Sequence, residues 1–307
     1  MKLKPIRFVP NETNIPFVKW HIPGMALSVL IILLSIGLLF TKGLNFGVDF
    51  TGGMVVEIRM PQVPDLSAMR DNFQKAGFND LSIQEFGAPT DLLLRLSKEQ
   101  SPADPEVQNE LVNKLLAVAG DGAEKRRVEF VGPQVGDELI TGSATALAIA
   151  IIGIMSYIWF RFERPYAIGC VLTLVHDCFA VLGLFALTQM EFNLTSVASV
   201  LMILGYSVND TVVIYDYIRE HRRKYKLMPW AELIDLSLNR TLSRTIMTGT
   251  TTLLALTALG IFGGDVIRGF TVSILCGIVV GTYSSLFVSA PFLLYMHPKG
   301  QNTKSEN

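Results

Sequence analysis

The sequence predicts an α-helical polytopic membrane protein with six transmembrane helices and one α+β domain that follows the first helix outside the membrane. Three observations lead to this fold class. Half of the 307 residues are hydrophobic. Charged residues fill a few segments and are nearly absent from others, which is typical of polytopic membrane proteins. The long segment between the first two apolar runs switches between strand and helix periodicity, as a mixed α+β domain does.

Six apolar runs are long enough to form membrane helices, since about 20 residues span the hydrocarbon core. The fifth run is short, and we expect its helix to begin near Ser243. Just before it, Pro229–Leu238 is expected to form a helix on the cytoplasmic surface, with Trp230, Leu233 and Ile234 turned toward lipid. The predicted spans are residues 22–40, 139–160, 166–188, 194–217, 243–262 and 269–295.

The distribution of lysine and arginine predicts the orientation. These residues are frequent in the N-terminal segment 1–21, in the loop Arg161–Pro165, in the loop 218–242 and in the tail 296–307, which fall on one side if the spans alternate. The other side receives the segment 41–138, with ten basic and sixteen acidic residues. Because cytoplasmic loops are rich in lysine and arginine, both termini are expected in the cytoplasm and residues 41–138 outside.

The segment 41–138 is expected to fold as a ferredoxin-like domain, because its periodicities follow the order β-α-β-β-α-β. It contains no histidine, no cysteine and no nucleotide-binding loop, which favours binding or mechanical coupling over catalysis. The predicted strands are Met54–Met60, Leu81–Phe86, Asp91–Ser97 and Arg126–Gly132, and the predicted helices are Asp65–Gly77 and Pro105–Ala119.

A tight turn is predicted just before the first strand of this domain, in the sequence NFGVDFTGG (Asn45–Gly53). Asp49, Gly52 and Gly53 mark a place where the backbone must approach another part of the protein closely. A phosphate-binding loop is not expected, because neither a lysine nor a helix start follows.

The fourth span carries Asn209 and Asp210 side by side. Asp210 lies about seven residues, or about 10 Å, from the cytoplasmic end of the span. This is too deep for a short side chain to reach the interface, so Asp210 is expected to face the bundle interior. There, either a partner cation keeps it ionised or it takes up a proton. Asp210 is therefore a candidate proton carrier, with an inert polar contact between helices as the alternative.

Arg244, at the start of the fifth span, is the candidate cationic partner of Asp210. It could equally be an ordinary cytoplasmic anchor of that span. Thr245, Thr248 and Thr252 follow on one helix face. This stripe fits either a file of water molecules or close helix packing.

The third span contains a second polar pair, His176 and Asp177. Histidine titrates near neutral pH, so a role in a proton relay is conceivable for this pair. Only one of two adjacent residues can face a given neighbouring helix, however. No further ligands occur at metal-binding spacing, so neither a metal nor another cofactor is expected.

Several motifs resemble those of the SecF family, the smaller membrane subunits of the bacterial SecDF translocation accessory complex. The resemblance covers residues from about 20 to 295 and implies membership of the proton-driven RND transporter superfamily. The motifs are GVDFTGG (Gly47–Gly53), VEFVGPQVG (Val128–Gly136), FRFE (Phe160–Glu163), HD (His176–Asp177), GYSVNDTVV (Gly205–Val213), RT (Arg244–Thr245) and FGG (Phe262–Gly264).

The resemblance implies roles for individual residues. Asp210 matches the family's proton-pathway aspartate of the fourth span, and Arg244 matches the functionally important arginine of the fifth. Family members carry a histidine directly before this arginine, where this chain has Ser243. Gly249 also lies one position earlier than in the family pattern, so the lining of the fifth span differs from that of other members.

Six spans with one outside domain are half of the twelve-helix RND plan, in which sites lie between two repeated halves. Alone, such a half would leave Asp210 facing a missing wall, so a partner is expected. The resemblance implies that this partner is SecD, in the bacterial inner membrane, and that the SecYEG channel and a translocating preprotein are further partners. YajC is an additional candidate. A basic surface for nucleic acid is absent from the sequence.

We hypothesise that protonation of Asp210 weakens its pairing with Arg244, lets the spans shift and moves the periplasmic domain, which assists preprotein translocation. The alternative is a structural assembly subunit of the Sec holotranslocon without its own proton path. A small-molecule exporter would usually require two outside domains and twelve spans. An intramembrane enzyme is not expected, because the chain contains no GxSxG, HExxH or paired membrane aspartate motif.

Overall fold

The structure is a computed structural model that describes residues 13–102, 104–264 and 267–296. Predictions for the first twelve residues and for the tail from residue 297 lie outside the described residues. The chain divides into two compact units. We call them the helical unit, which contains residues up to 45, 147–190 and those from 195 onward, and the sheet unit, which contains residues 46–146 and 191–194.

Most of the described chain is helical. A short 3₁₀ helix, Val18–Trp20, precedes the first long helix. The elements are α1 (His21–Thr41), α2 (Val48–Thr51), β1 (Gly53–Arg59), α3 (Leu66–Lys75), β2 (Ser82–Phe86), β3 (Ala88–Leu96), α4 (Pro105–Ala119), β4 (Glu124–Val131), α5 (Pro133–Arg161), α6 (Arg164–Thr188), α7 (Leu194–Lys224), α8 (Trp230–Phe262), α9 (Arg268–Ser284), a π-helical turn (Ser285–Ser289) and α10 (Ala290–Phe292).

Six helices among the described residues are long and apolar enough to cross a membrane, as the sequence predicts. They are α1, α5, α6, α7, α8 and α9 with its extension to Phe292. α7 continues as a helix to Lys224, beyond the predicted end of the fourth span at residue 217. The basic residues at its end therefore belong to a helix and not to a loop.

The predicted surface helix at Pro229–Leu238 is wrong as a separate element. α8 begins at Trp230 and continues without a break to Phe262. No proline or glycine lies between Leu238 and Ser243 to end the helix, so helical geometry extends into the fifth span.

The side chains predicted to face lipid on this part of α8 are buried instead. Leu233 and Ile234 are fully buried, and the indole Nε1 of Trp230 donates to the Leu293 carbonyl oxygen at 2.8 Å. An indole N–H that leaves water needs such an acceptor. The apolar face of α8 therefore packs into the protein rather than onto the membrane surface.

Residues 13–20 of the predicted N-terminal segment lie along the same part of α8. Asp235 accepts a hydrogen bond from the Val18 backbone N–H at 2.8 Å. The side chain of Asn239 bonds both the N–H and the carbonyl oxygen of Ile15, each at 2.9 Å. These bonds fix the chain as it enters α1.

The sheet unit has the ferredoxin-like arrangement. Its four strands are antiparallel in the order β2-β3-β1-β4, and α3 and α4 follow β1 and β3 in the chain. The side chain of Asp65 caps α3 by accepting from the backbone N–H groups of Ser67 and Ala68. Asp104 caps α4 in the same way, and Gly120 ends that helix with a positive φ of 114°.

The core of the sheet unit lies between one face of the sheet and the two helices. Alternate residues of β1 point to this face, as the period of two in a strand requires, and all are fully buried. They are Met54, Val56 and Ile58, and they belong to one cluster with Phe73 of α3 and Leu115 of α4.

An ion pair lies on the sheet away from this core. Nε and Nη2 of Arg59 each donate to one oxygen of Asp91 at 2.6 Å, and Asp91 is only 3% exposed. The hydrogen bonds from Arg59 are the main cause that holds the pKa of Asp91 below its ordinary value. The pair therefore joins β1 to β3 through their side chains as well as their backbones.

Replacing Asp91 with Asn is expected to destabilise the sheet unit near neutral pH and to matter less in acid. The folded pKa of Asp91 is lowered, so this carboxylate contributes stability above its unfolded pKa of about 4, and the contribution is lost as the pH falls through the folded pKa. The measurement is the urea midpoint of amide exchange in β1 and β3 of the solubilised chain between pH 7 and pH 3. The exposed Asp71 provides the control Asp71→Asn. A difference that does not change with pH would contradict the assignment.

Candidate functional site in the helical unit

Asp210 of α7 is buried, with 9% of its surface exposed. The hydroxyl of Thr245 on α8 donates to Asp210 Oδ1 at 2.6 Å. Asp210 Oδ2 is also buried and has no hydrogen-bond partner among the described residues. A carboxylate in such a place would lack compensation for its charge, which is costly away from water. The site is therefore suited to a carboxyl group that can also be present in its protonated form.

The predicted direct contact between Asp210 and Arg244 is not formed. The side chain of Arg244 is exposed, and no ion pair within 4 Å joins it to a carboxylate in the described part of the chain. Consecutive residues of an α-helix point about 100° apart, so a helix that directs Thr245 at α7 turns Arg244 away. For the same reason Asn209 is exposed beside the buried Asp210.

Only one member of the threonine stripe on α8 reaches Asp210. The hydroxyl of Thr248 donates to the carbonyl oxygens of Arg244 and Thr245, and that of Thr252 donates to the Thr248 carbonyl oxygen. These two hydroxyls are thus satisfied by the backbone of their own helix. Thr245 is the residue that links α8 to the carboxyl group.

Asp177 of α6 is fully buried and has partners for both oxygens. Its Oδ2 accepts from the hydroxyls of Ser207 on α7 and Ser284 on α9, at 2.5 and 3.1 Å. Its Oδ1 lies 2.9 Å from Nδ1 of His176. Asp177 therefore joins three helices at one point.

His176 is buried beside Asp177, with 1% of its surface exposed. Its Nδ1 contacts the carboxyl group, and its Nε2 has no hydrogen-bond partner among the described residues. The ring lies 6.2 Å from that of Tyr283, measured between centroids. The two adjacent residues thus face each other, an arrangement that the sequence does not predict.

A seam of small and hydroxyl side chains joins α7 to the last span, and it includes Gly277 and Gly281. Each contact pairs residues 74 positions apart, because the two helices run parallel in constant register. Hydroxyl pairs and close backbone approach are the usual means of helix association in membranes. The seam comprises Ser199 with Ser273, Ile203 with Gly277, Ser207 with Gly281, Thr211 with Ser285, and Tyr215 with Ser289.

The turn predicted at Asp49 lies in the sheet unit. Gly52 and Gly53 have positive φ values of 66° and 113°, which favour glycine. A Cβ added to Gly136 of α5 would lie 3.3 Å from the Gly52 nitrogen. The structure therefore places the start of α5 against this turn, at the separation that a bare glycine allows.

The chain matches family models and individual proteins of one known family. A family model for the protein export membrane proteins SecD/SecF, C-terminal region, matches residues 111–299, and a model of the SecD/SecF GG motif matches residues 37–60. Protein translocase subunit SecF of Rickettsia rickettsii is 42% identical over 300 residues, which cover 95% of each chain. That of Rickettsia conorii is 44% identical over 295 residues, also 95% of each. The chain belongs to the SecF family.

Solved structures agree with this assignment. A crystal structure of SecDF from Thermus thermophilus, a translocon-associated membrane protein, matches 95% of this chain with 32% identity and a TM-score of 0.85. SecDF in a super-membrane-facing form matches with a TM-score of 0.68 and the same identity. This chain spans 40% of each of those SecDF chains. These matches confirm the predicted fold of six membrane helices and one small sheet domain.

Replacing Asp177 with Ala is expected to destabilise the helical unit by at least about 2 kcal/mol, because it leaves Ser207, Ser284 and His176 without their shared acceptor in a buried place. The measurement is thermal unfolding of the detergent-solubilised chain. Asp216→Ala is the control, since Asp216 is only half-buried and forms an ion pair with Arg161 at the helix ends. Equal unfolding temperatures for the two variants would contradict the structural role of Asp177.

Replacing Gly277 with Ala is expected to cost about 1–3 kcal/mol through overpacking of the seam. An added Cβ would lie 2.5 Å from Cδ1 of Ile203. Gly37→Ala is the control, because nothing lies within 4 Å of the corresponding Cβ. The double variant Gly277→Ala with Ile203→Ala should recover part of the loss, and strictly additive effects in this cycle would count against the contact.

Proposed function

We propose that this chain is the proton-coupled subunit of a SecDF-type complex in the bacterial inner membrane, where it assists preprotein translocation through the SecYEG channel. Membership of the SecF family supports the assignment to protein translocation. In this proposal both termini are cytoplasmic and the sheet unit is periplasmic, in agreement with the distribution of lysine and arginine. The proposal names SecD as the obligate partner and YajC as a further candidate.

The observation that carries the proposal is the unequal environment of the two oxygens of Asp210. Oδ1 accepts from Thr245, whereas Oδ2 has no described partner although it is buried. A carboxylate whose two oxygens both accept hydrogen bonds would have little tendency to bind a proton. An oxygen that is left open within the membrane can bind a proton or turn to a cation, so its charge can follow the proton gradient.

In the proposed cycle, Asp210 contacts Arg244 only when Asp210 is deprotonated. When Asp210 loses its proton, the carboxylate attracts the guanidinium of Arg244, which lies one residue from the bonded Thr245. The two contacts need different rotations of the start of α8. Protonation would then restore the arrangement seen here, and each exchange would move α8 against α7.

The membrane potential is large enough to drive such a change. One elementary charge that crosses 100 mV changes the free energy by about 2.3 kcal/mol, which shifts a two-state equilibrium about fifty-fold. Asn209, Asp177, His176 and Thr248 are the other residues that we assign to the proton pathway. His176 is the strongest of these candidates, because its buried Nε2 has no described partner.

The surface of the helical unit supports the need for a partner. The apolar stretch of α5 is hardly buried within the chain, and large side chains such as Ile149, Ile152 and Phe160 are exposed. Lipid or another membrane subunit must cover them. In the matched SecDF structures a chain like this one makes up 40% of the polypeptide, which leaves room for a second membrane half. SecD is the occupant that we propose for part of this surface.

The variant Asp210→Asn is expected to abolish the part of preprotein export that depends on the proton gradient while SecD still co-purifies. The amide keeps the size of the side chain and can still accept from Thr245, but it cannot exchange a proton. The measurement is export into inverted membrane vesicles with the gradient present and after an ionophore has collapsed it. Asp216→Asn, on the same helix but only half-buried and paired with Arg161, is the matched control and should export normally.

A second function, that of an assembly subunit without a proton path, receives some support from Asp177. That carboxyl group is saturated with bonds from three helices, as a purely structural residue would be. This function predicts that Asp210→Asn leaves export unchanged both with and without the gradient. That result would refute the proton-coupled role of Asp210 and leave Asp177 and the helix seam as the important polar features.

A further inference from the structure

The start of α7 is tied to the sheet unit by two chain segments that are far apart in the sequence. We call this feature the clasp, and it consists of residues 46–50, Arg95 of β3 and residues 191–194, all of which belong to the sheet unit. Residue 194 is at the same time the first residue of α7. The clasp therefore holds the residue from which the helix bearing Asp210 begins.

Backbone and ionic contacts close the clasp. Phe46 and Phe192 form a parallel β-bridge, in which the Gly47 N–H donates to the Phe192 carbonyl oxygen at 2.9 Å. Nη1 of Arg95 donates to the Phe46 carbonyl oxygen at 2.9 Å, and its Nη2 lies 3.3 Å from Oε1 of Glu191. Arg95 thus reaches both segments from the sheet.

Aromatic packing and a glycine complete the clasp. The rings of Phe46, Phe50 and Phe192 contact one another, with centroids about 6 Å apart. A Cβ added to Gly47 would lie 2.6 Å from Oε1 of Glu191 and 3.1 Å from Cβ of Asn193, so the Glu191 carboxylate would have to move. Glycine at residue 47 therefore lets the Glu191 carboxylate stay beside Arg95.

Asp49 bonds the helix itself. Its Oδ2 accepts from the backbone N–H of Leu194 at 2.9 Å, across 145 positions of sequence. The first N–H groups of a helix have no acceptor within it, and a negative charge beside them is favourable. Asp49 therefore acts as an N-terminal cap of α7 that is supplied by the sheet unit.

We propose that the clasp transmits displacement of α7 to the sheet unit, and that Asp49 is the positioning residue that keeps this connection closed. The inference rests on the proposed function, because it assigns the movement of α7 to proton exchange at Asp210. Asp210 lies on the same helix, about 24 Å from Leu194 at 1.5 Å per residue. When an α-helix is bonded at its first N–H group, a displacement of the helix also moves the segment that carries the acceptor. An uncapped helix end can fray instead.

Replacing Asp49 with Ala should lower gradient-dependent export about fivefold, the effect expected for loss of a helix cap. Export without the gradient and co-purification of SecD should not change. Asp49→Asn should restore most of the loss, because the amide oxygen can still accept from Leu194. Asp65→Ala is the matched control, since it removes an aspartate cap of the same kind from α3 and leaves α7 untouched. The assay is the vesicle export measurement with and without an ionophore.

Normal gradient-dependent export in Asp49→Ala would overturn the inference. An equal loss of this export in Asp65→Ala would also overturn it, because only the stability of the sheet unit would then matter. If Asp49→Ala fails to assemble, Gly47→Ala decides, because its Cβ displaces the Glu191 carboxylate from Arg95 in the clasp and removes no polar group. Gly142→Ala, with nothing within 4 Å of its Cβ, is the control for that variant. Full gradient dependence in Asp210→Asn would refute the proposed function itself, independently of the Asp49 result.

Discussion

The scarcity of hydrogen-bond partners inside a membrane constrains the whole helical unit. No water is available in the hydrocarbon core, so each polar side chain must find its partner within the protein. The seam between α7 and the last span meets this requirement with hydroxyl pairs at residues 199, 211 and 215 of α7. Small residues at the intervening positions let the backbones approach. The same residues thus satisfy polar groups and set the distance between the helices.

Asp177 and Asp210 show how neighbours give two buried aspartates different properties. Asp177 lies where α6, α7 and α9 meet, and hydroxyls or a histidine nitrogen contact both of its oxygens. Asp210 accepts from a single hydroxyl, that of Thr245, and its other oxygen has no partner among the described residues. The first arrangement holds helices together. The second leaves one carboxyl oxygen outside any hydrogen-bond network among the described residues.

The sequence predicts those features that depend on local patterns. Apolar runs give the six membrane helices, and alternating periodicities give the ferredoxin-like domain. The burial of Asp210 follows from its depth in the fourth span. The contact with Thr245 instead of Arg244 could not be predicted, because it depends on the rotation of α8 about its own axis, which a sequence leaves free. The seam and the bond from Asp49 to Leu194 also escape prediction, since both require knowledge of which distant segments lie together.

Within the described residues, α7 is the element that carries both the open carboxyl group and the capped first N–H group. This combination matters because a change of charge performs mechanical work only if the moving part is attached to a body that resists deformation. The sheet unit is such a body, since its core of β1, α3 and α4 side chains is closely packed and Asp91 with Arg59 braces the sheet. If the helix were loosely attached, its first turn would fray and its displacement would not reach the sheet unit. The cap from Asp49 opposes this fraying at the first residue of α7, where the helix is joined to the sheet unit.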